Sequence, residues 1–347
     1  MHLVGSPVDT HAPVLALGMG ALRVWRWISE TWRPGFGAGV RRRDAGFGTE
    51  ARRRSQPQAS NKSKDPVEDQ PFPGLLRTEN LGVEELVDVL KAAVVDQKGR
   101  PGELTLLSVL PQLSQALGLG HRELQVVRAP GKEASGLVLL SGCPQTASRL
   151  QKFFAHSRRS QRPTATYCAI TDGVPEPSEG TVSVALKLER MDGINLAVPV
   201  ASPSRKDILE GVKRTLSHFH VMATGCGCAL VQLQPLTVFP SQLQVHMALQ
   251  LCPVLGDHTY AARVGTVLGQ RFLWPATTTK PQTQVLDEAL LKRLRLSPSQ
   301  VAQMPLHLHL QRLLLPGTRS RDPPSELLAP VPSYFSRTLQ CLRLSQK

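Results

Sequence analysis

The amino-acid sequence predicts an α+β fold, a mixed sheet flanked by helices, and three patterns carry that prediction. Residues 137–140 form a short apolar run behind a glycine, which is typical of a buried strand. Apolar residues at helical spacing follow this run, and the β-branched stretch 164–171 then indicates a second strand. Near the C-terminus, residues 306–310 alternate leucine with polar residues, as in a strand with one buried face.

Residues 1–45 are predicted to be a mitochondrial transit segment, which would place the mature protein in the mitochondrial matrix. Leu22, Trp25 and Ile28 keep helical spacing, arginines interleave with them, and acidic residues are few. Amphipathic, arginine-rich and acid-poor segments are typical of transit peptides. The alternative interpretation is a disordered basic tail that binds a polyanion directly.

Residues 46–76 are rich in Gly, Ser, Pro and charge, and we expect them to form a disordered linker. The remaining residues, 77–347, are numerous enough to bury a full core and are predicted to form one domain. This domain opens with two amphipathic helices over 83–94 and 106–117, the second kinked by Pro111.

The centre of the domain is predicted to be a strand, a helix and a strand. Pro144 suits the first position of the helix, and apolar residues recur on one helical face over 147–154. Residues 157–163 are expected to form a basic loop before the second strand. Further strands are predicted over 181–187, 229–233 and 306–310. Further helices are predicted over 241–251 and 284–294.

The composition of the chain and the spacing of its cysteines and histidines limit the kinds of functional site that it can contain. The formal net charge of +14 suits a polyanionic partner. The six cysteines are scattered, so we expect them to be reduced and buried. No metal site is predicted, because Cys226 and Cys228 lack a second cysteine pair, and His307 and His309 lack a nearby third ligand. No phosphate-binding glycine loop is present, and no apolar stretch reaches the roughly 18 residues that a membrane span needs.

Three blocks of sequence carry a resemblance to a known family. Ser-Gly-Leu at 135–137 opens the first block, which continues through a strand and a helix to T-Y-C-A-I-T-D-G at 166–173. The second block is P-L-T-V-F-P-S-Q-L-Q-V-H-M at 235–247, and the third is P-V-L-G-D-H-T-Y at 253–260. In this order, and over about half of the chain, the blocks resemble the motifs of the RluA-type RNA pseudouridine synthases.

The resemblance implies RNA as the partner and isomerisation of uridine to pseudouridine as the reaction, without a cofactor. In its overall sequence, the chain most resembles family members that act on mitochondrial mRNA, so mitochondrial mRNA is the implied substrate. The implied fold is a mixed, mostly antiparallel sheet flanked by helices, of the pseudouridine synthase type. After Gly99 the chain lacks a strand that the family carries, which predicts an open sheet edge.

The residues that differ from the family are the chemical ones. When the Ser-Gly pair is aligned, the family's catalytic Asp falls at Gly131, which has no side chain to act as nucleophile or base. The arginine that pairs with this Asp falls at Gln244. Loss of both partners of a buried ion pair leaves a neutral site that can still pack. The nearest carboxylates along the chain, Glu123 and Glu133, are expected to be solvated surface acids.

Several other positions are predicted to face RNA. Tyr167 stands where the resemblance implies a ring packed against the target base, although a role in the strand core is the other interpretation. The family's His falls at Arg128. Basic residues on the central helix and the turn after it are predicted either to contact phosphates, without reading sequence, or to form a solvated face: Arg149, Lys152, Arg158, Arg159 and Arg162.

Three functions therefore stay open at the level of sequence. The first is an RNA pseudouridine synthase of mitochondrial mRNA. The second is an RNA-binding pseudoenzyme that keeps Tyr167 and the basic residues but lacks the catalytic Asp. The third is a structural component of a mitochondrial RNA-processing assembly.

Overall fold

The computed structural model describes residues 14–18, 110–111, 114, 123–131, 133–275, 280–317 and 323–344. Ten strands of this part form one sheet, and two more form a separate hairpin. The strands are β1 (Val14–Gly18), β2 (Gln125–Arg128), β3 (Ser135–Ser141), β4 (Ala165–Asp172), β5 (Glu179–Met191), β6 (Ile194–Val200), β7 (Lys213–Gly225), β8 (Cys228–Pro235), β9 (Val264–Val267), β10 (Gln270–Leu273), β11 (Leu308–Leu315) and β12 (Ser325–Leu328).

The order across the sheet is β1-β3-β11-β4-β8-β7-β5-β6, with β2 beside β3 and β12 beside β11. The β3–β11 pair is parallel. The other pairs along this order are antiparallel. The mixed, mostly antiparallel sheet predicted from the sequence is therefore confirmed. Its helices are α1 (Pro144–Arg159), α2 (Arg205–Leu209), α3 (Gln242–Leu249), α4 (Glu288–Leu294), α5 (Pro298–Val301) and α6 (Ser333–Leu342).

Helices cover both faces of the central strands. On one face, Phe154 of α1 and Met247 of α3 pack into a cluster with Tyr167 of β4. On the other face, Leu290 of α4 and Phe335 of α6 pack in a second cluster. Each such buried side chain contributes about 1.5 to 3 kcal/mol of hydrophobic stabilisation. Among the described helices, none is long and apolar enough to cross a membrane.

The predicted strands and helices in the centre of the chain are present, with two changes of boundary. Residues 157–159, predicted to open a basic loop, form the last turn of α1 instead. The helix predicted over 284–294 begins only at Glu288, because Asp287 caps it by accepting a hydrogen bond from the Leu290 amide at 2.6 Å.

The prediction of one buried face for residues 306–310 is wrong. Leu308 and Leu310 are buried as expected, but His307 and His309 are also 0% exposed. The reason is α6, which packs over the histidine face of β11: the Nε2 atom of His307 lies 2.8 Å from the Thr338 hydroxyl. The alternation of a strand cannot reveal a helix that arrives from elsewhere in the chain.

The six cysteines all lie in the described residues, and no disulfide joins any two of them. Cys168, Cys228 and Cys252 are buried as expected, whereas Cys143 and Cys341 are only half-buried and Cys226 is exposed. Cys226 lies in the turn between β7 and β8 at a φ of 52°, and so stands outside the packed part of the sheet.

β1 lies inside the predicted transit segment, and its backbone pairs with β3 from Val14 opposite Ser141 to Gly18 opposite Leu137. The rest of that segment, the predicted linker at 46–76, the helix at 83–94 and the missing strand after Gly99 lie outside the described residues. The boundaries of the transit segment, the linker and the domain stay predictions.

Candidate active site and RNA interface

The Ser-Gly pair of the first block is anchored by hydrogen bonds below the surface. The Tyr334 hydroxyl donates to Ser135 Oγ at 3.2 Å, and Ser135 Oγ lies 2.9 Å from Nδ1 of His309. The Nε2 atom of His309 lies 3.3 Å from the carbonyl oxygen of Ala329. These contacts are consistent with one neutral tautomer, in which Nδ1 accepts and Nε2 donates. Burial agrees with this, because it lowers the pKa of His309 to about 4.

Gly136 explains why this block needs a glycine. Its φ is 127°, and a Cβ atom there would lie 2.4 Å from the carbonyl oxygen of Leu310. Any side chain would therefore push β3 away from β11. Leu310 also pairs with Tyr167 of β4, so the glycine places the start of β3 one strand away from Tyr167.

The loop before the Ser-Gly pair contains the position of the family's catalytic Asp. Nothing lies within 4 Å of a Cβ atom built at Gly131, so the space for a side chain is empty. The Gly131 carbonyl accepts a hydrogen bond from the Ala134 amide at 3.1 Å, which closes a turn. Within this turn, Glu133 is exposed and has a φ of 66°, which is uncommon for a residue with a side chain.

Gln244 faces a buried carboxylate. Its Nε2 atom donates to Oδ1 of Asp257 at 3.3 Å, and that oxygen also accepts from the amides of Thr259 at 3.0 Å and Tyr260 at 2.9 Å. Asp257 is 0% exposed, and its Oδ2 atom has no hydrogen-bond partner. Burial raises the pKa of Asp257 to about 6 against the lowering effect of these hydrogen bonds, and the charge of Glu133 raises it further.

The two variant positions lie in one region, because Ala134, which closes the turn at Gly131, packs in the same buried cluster as Leu243 and Met247 of α3. Glu133 belongs to the turn that begins at Gly131, and Asp257 is bonded to Gln244. The structure therefore brings the loop of the missing Asp close to the residue that replaces its arginine partner. Neither position carries the charge that the family has there.

Helix α3 buries Gln244 against one face of the sheet. Its residues from Gln242 to Ala248 are buried. Gln242 donates to Ser217 Oγ at 2.8 Å, and Nε2 of His246 lies 2.8 Å from the Thr215 hydroxyl, so both polar side chains are tied to β7. Thr215 donates to the Val184 carbonyl, so His246 acts as the donor and stays neutral, in line with its pKa, which burial lowers to about 4.

Tyr167 is 6% exposed and lies in the cluster beneath α1 and α3. Burial raises the pKa of its hydroxyl, and both the charge of Arg128 and a hydrogen bond from Arg128 oppose that rise. The guanidinium carbon of Arg128 lies 5.8 Å from the ring centre of Phe154. The contact between Arg128 and Phe154 could not be predicted from the sequence, because the two residues lie on β2 and α1. The predicted packing of Tyr167 against a target base stays a prediction.

The structure places the five predicted phosphate-contacting residues along α1 and the turn that follows it. Arg149 and Lys152 are exposed on the helix, Arg158 and Arg159 lie in its last turn, and Arg162 is exposed in the next turn. Basic side chains at a helix C-terminus also complement the helix dipole, so this placement has a structural benefit of its own.

Asp257 is the site residue that the sequence reasoning passed over. It stands in the third block after Gly256, whose φ is 78° and where a Cβ atom would lie 2.1 Å from the Pro305 carbonyl oxygen. The only available signal was its place in that block, because neither its burial nor its partner Gln244 can be read from local sequence.

The sequence and fold of this chain are similar to those of several known proteins. The RNA pseudouridylate synthase family model matches residues 92–249. The chain is 80% identical over 344 residues to the mitochondrial mRNA pseudouridine synthase Rpusd3 of Mus musculus, covering 95% of this chain and 100% of that protein. It is 68% identical to the mitochondrial mRNA pseudouridine synthase RPUSD3 of Homo sapiens, covering 95% and 98%.

A solved structure supports the same assignment at the level of fold. Human RNA Pseudouridylate Synthase Domain Containing 4 superposes with a TM-score of 0.56 at 27% identity, covering 76% of this chain and 97% of that one. The three sequence blocks, the mixed sheet and these similarities agree, and the chain belongs to the RNA pseudouridylate synthase family.

Proposed function

We propose that this protein isomerises uridine to pseudouridine in mitochondrial mRNA, in the mitochondrial matrix. The observation that carries the proposal is the 80% identity, over 95% of this chain, to a Mus musculus protein named as a mitochondrial mRNA pseudouridine synthase. The basic residues on α1 support RNA as the substrate, since lysine and arginine contact phosphates without regard to sequence.

The resemblance to the family implies a reaction without a cofactor, and because substrate and product are isomers, no group is exchanged with a second substrate. The target base first leaves the stack, at a cost of a few kcal/mol. The bond between C1′ and N1 of uridine then breaks, the uracil turns, and a bond forms between C1′ and C5. C5 loses its proton and N1 gains one, so the atoms balance. A carboxylate beside the target nucleotide is what the family uses to assist these steps.

We assign the carboxylate of this site to Glu133. Gly131 has no side chain, and Asp257 is 0% exposed, so RNA cannot reach it without a rearrangement. Glu133 is exposed, lies two residues after Gly131, and is near enough to Asp257 to raise its pKa. It is therefore the carboxylate of this region that a substrate can meet.

An RNA-binding protein without isomerase activity is the second candidate function. One observation favours it: the position of the catalytic Asp is an empty space beside Gly131, and the position of its partner is the neutral Gln244. Under this second candidate, the protein binds RNA through the basic residues of α1 but does not isomerise uridine.

The test is whether the purified protein forms pseudouridine in a mitochondrial mRNA transcript, measured by mass spectrometry of the digested RNA. Under the proposal, the wild-type protein forms pseudouridine, and Glu133→Gln abolishes the activity while leaving RNA binding intact. Glu123→Gln is the matched control, since it removes an exposed carboxylate outside the turn.

A further variant separates the two candidates. Gly131→Asp combined with Gln244→Arg restores the family's pair, and the empty space at Gly131 can hold the new side chain. Activity in this variant but none in the wild-type protein would establish the RNA-binding candidate and contradict the proposal.

A further inference from the structure

Basic side chains of β2 and α1 meet at Phe154: the guanidinium carbon of Arg128 lies 5.8 Å from its ring centre, and Arg158 follows Phe154 by one turn of α1. Arg128 ends β2, and Arg158 and Arg159 end α1. The pKa of Arg158 lies below its ordinary value, first because of partial burial and then because of the charges of Arg128 and Arg159. The position of Arg128 over Phe154 and of Arg158 one turn later on the same helix brings these two guanidinium groups close enough to repel each other.

No described acidic side chain compensates for this repulsion. The ion pairs of the described residues involve other cations, and none includes Arg128, Arg158 or Arg159. Like charges brought together without a counter-charge lower the stability of a fold. Such a cluster is stabilised when an anion enters it, as at phosphate-binding sites formed by arginines.

Arg128 is held in place before any ligand arrives. Its guanidinium carbon lies 5.8 Å from the ring centre of Phe154, and the group also interacts with the Tyr167 hydroxyl. Its buried Nε atom has no hydrogen-bond partner. A donor that is already ordered loses little conformational entropy on binding, so it binds an anion more tightly than a mobile arginine does.

We infer that Arg128 and Arg158 bind one backbone phosphate of the RNA, next to the nucleotide that enters beside Tyr167. This inference rests on the proposed function for its ligand, RNA. An RNA strand fits better than a free phosphate, because the basic residues continue from this pair along α1 to Arg149, farther than one phosphate extends. The site adds Arg128, at the family's His position, to the basic residues of α1.

The experiment measures binding of a short, fluorescent, single-stranded RNA that contains uridine, as a function of salt concentration. Arg128→Gln combined with Arg158→Gln is expected to weaken binding about tenfold, the value of one charge-assisted contact. The slope of log affinity against log salt becomes shallower by about 0.7, the contribution of one phosphate on a single strand.

The matched control is Lys292→Gln combined with Arg293→Gln. It removes the same net charge from exposed positions of α4, on the opposite face of the sheet. The control is expected to leave the salt slope unchanged. Arg128→Lys keeps the charge but loses the planar fork, so it should retain the slope and still weaken binding.

Several outcomes decide the inference. The inference is overturned if the double variant of Arg128 and Arg158 has the same salt slope as the control. It is also overturned if the double variant binds inorganic phosphate more weakly but binds RNA as tightly as the wild-type protein. Failure of the wild-type protein to bind RNA at all would instead remove the proposed function. Thermal melting checks the fold, and because Arg128 packs on Phe154, Arg158→Gln alone provides a second variant that is expected to show the same shallower slope.

Discussion

Two aspartates of this chain have partners of opposite kind. Asp172, at the end of β4, forms an ion pair with Arg271 of β10. Arg271 also donates to the carbonyl oxygens of Asp172 and Leu251. Asp257 instead faces the neutral amide of Gln244, and one of its carboxylate oxygens has no partner.

The two aspartates differ in solvent exposure as well as in the charge of their partners. The side chains of Arg271 and Asp172 are 30% and 20% exposed, so solvent still screens their pair. Asp257 is 0% exposed, and an amide satisfies one hydrogen bond without neutralising the negative charge. Its pKa therefore rises to about 6. Asp257 tolerates a neutral partner because its carboxylate can take up a proton, a general response of buried acids without a counter-charge.

The largest effect is expected at the charged pair. Arg271→Ala leaves the Asp172 carboxylate without its cation and removes the link between β10 and β4, so we expect the free energy of unfolding to fall by about 2 kcal/mol, as for the loss of hydrogen bonds to a charged group. Urea unfolding followed by circular dichroism measures the change. Arg271→Lys, which keeps the charge but not the fork, should lose less; an equal loss in both variants would contradict a role for the charge.

A smaller effect is expected from the pH dependence of Asp257. Its pKa is raised to about 6 in the folded protein, above the ordinary value of 3.8, so the folded state binds this proton more tightly than the unfolded state. The contribution of Asp257 to stability therefore increases as the pH falls through 6. Relative to Asp257→Asn, the wild-type protein should gain about 1.4 kcal/mol between about pH 7.5 and pH 5.

The difference between the two proteins is the quantity to measure, because histidines act in the opposite direction. Burial lowers the pKa of His246, His307 and His309 to about 4 from an ordinary 6.5. Their contribution is present above pH 6.5 and is lost as the pH falls towards 4. It is common to the wild-type protein and Asp257→Asn, so it cancels. A difference that stays constant with pH would show that Asp257 is ionised throughout.

Removal of the amide should have a still smaller effect. Gln244→Met keeps the volume of the side chain but removes the hydrogen bond to Asp257, so we expect a loss of about 1 kcal/mol at about pH 7.5. At about pH 5 the carboxyl group is mostly protonated and the loss should shrink. Chemical unfolding at both pH values checks this, and a larger loss at the lower pH would contradict it.

The smallest change in stability is expected for an ion pair on the exposed surface. Lys280 and Asp192 form an ion pair at 2.9 Å, but their side chains are 75% and 65% exposed. Lys280→Ala should change the free energy of unfolding by no more than about 0.5 kcal/mol. A loss as large as that of Arg271→Ala would show that solvent exposure does not explain the contrast between these pairs.

Local patterns predicted much of the fold. The buried strand, the amphipathic helix and the next strand between Ser135 and Asp172 follow from apolar spacing and β-branched residues, and all three are present. The strand β7 and the helix α6 were not predicted. The missed β7 begins with the basic pair Lys213-Arg214, and its burial alternates only over its first half, so its own residues indicate a strand weakly.

The candidate site was predicted only in part. The motif positions Gly131, Tyr167 and Gln244 could be recognised from the blocks around them. The burial of Asp257 and the contact of Arg128 with Tyr167 could not, because each joins residues that are far apart in the chain.

By itself, the sequence determined the family, the order of the central strands and helices, and the absence of a side chain at the catalytic position. These properties lie in short motifs and in spacing between near neighbours. Only the tertiary structure decided which charges have partners, that His307 and His309 are both buried, and that Arg128 of β2 lies over Phe154 of α1 and beside Tyr167. Desolvation and charge pairing depend on distances in space, and the sheet brings together strands that the sequence keeps apart.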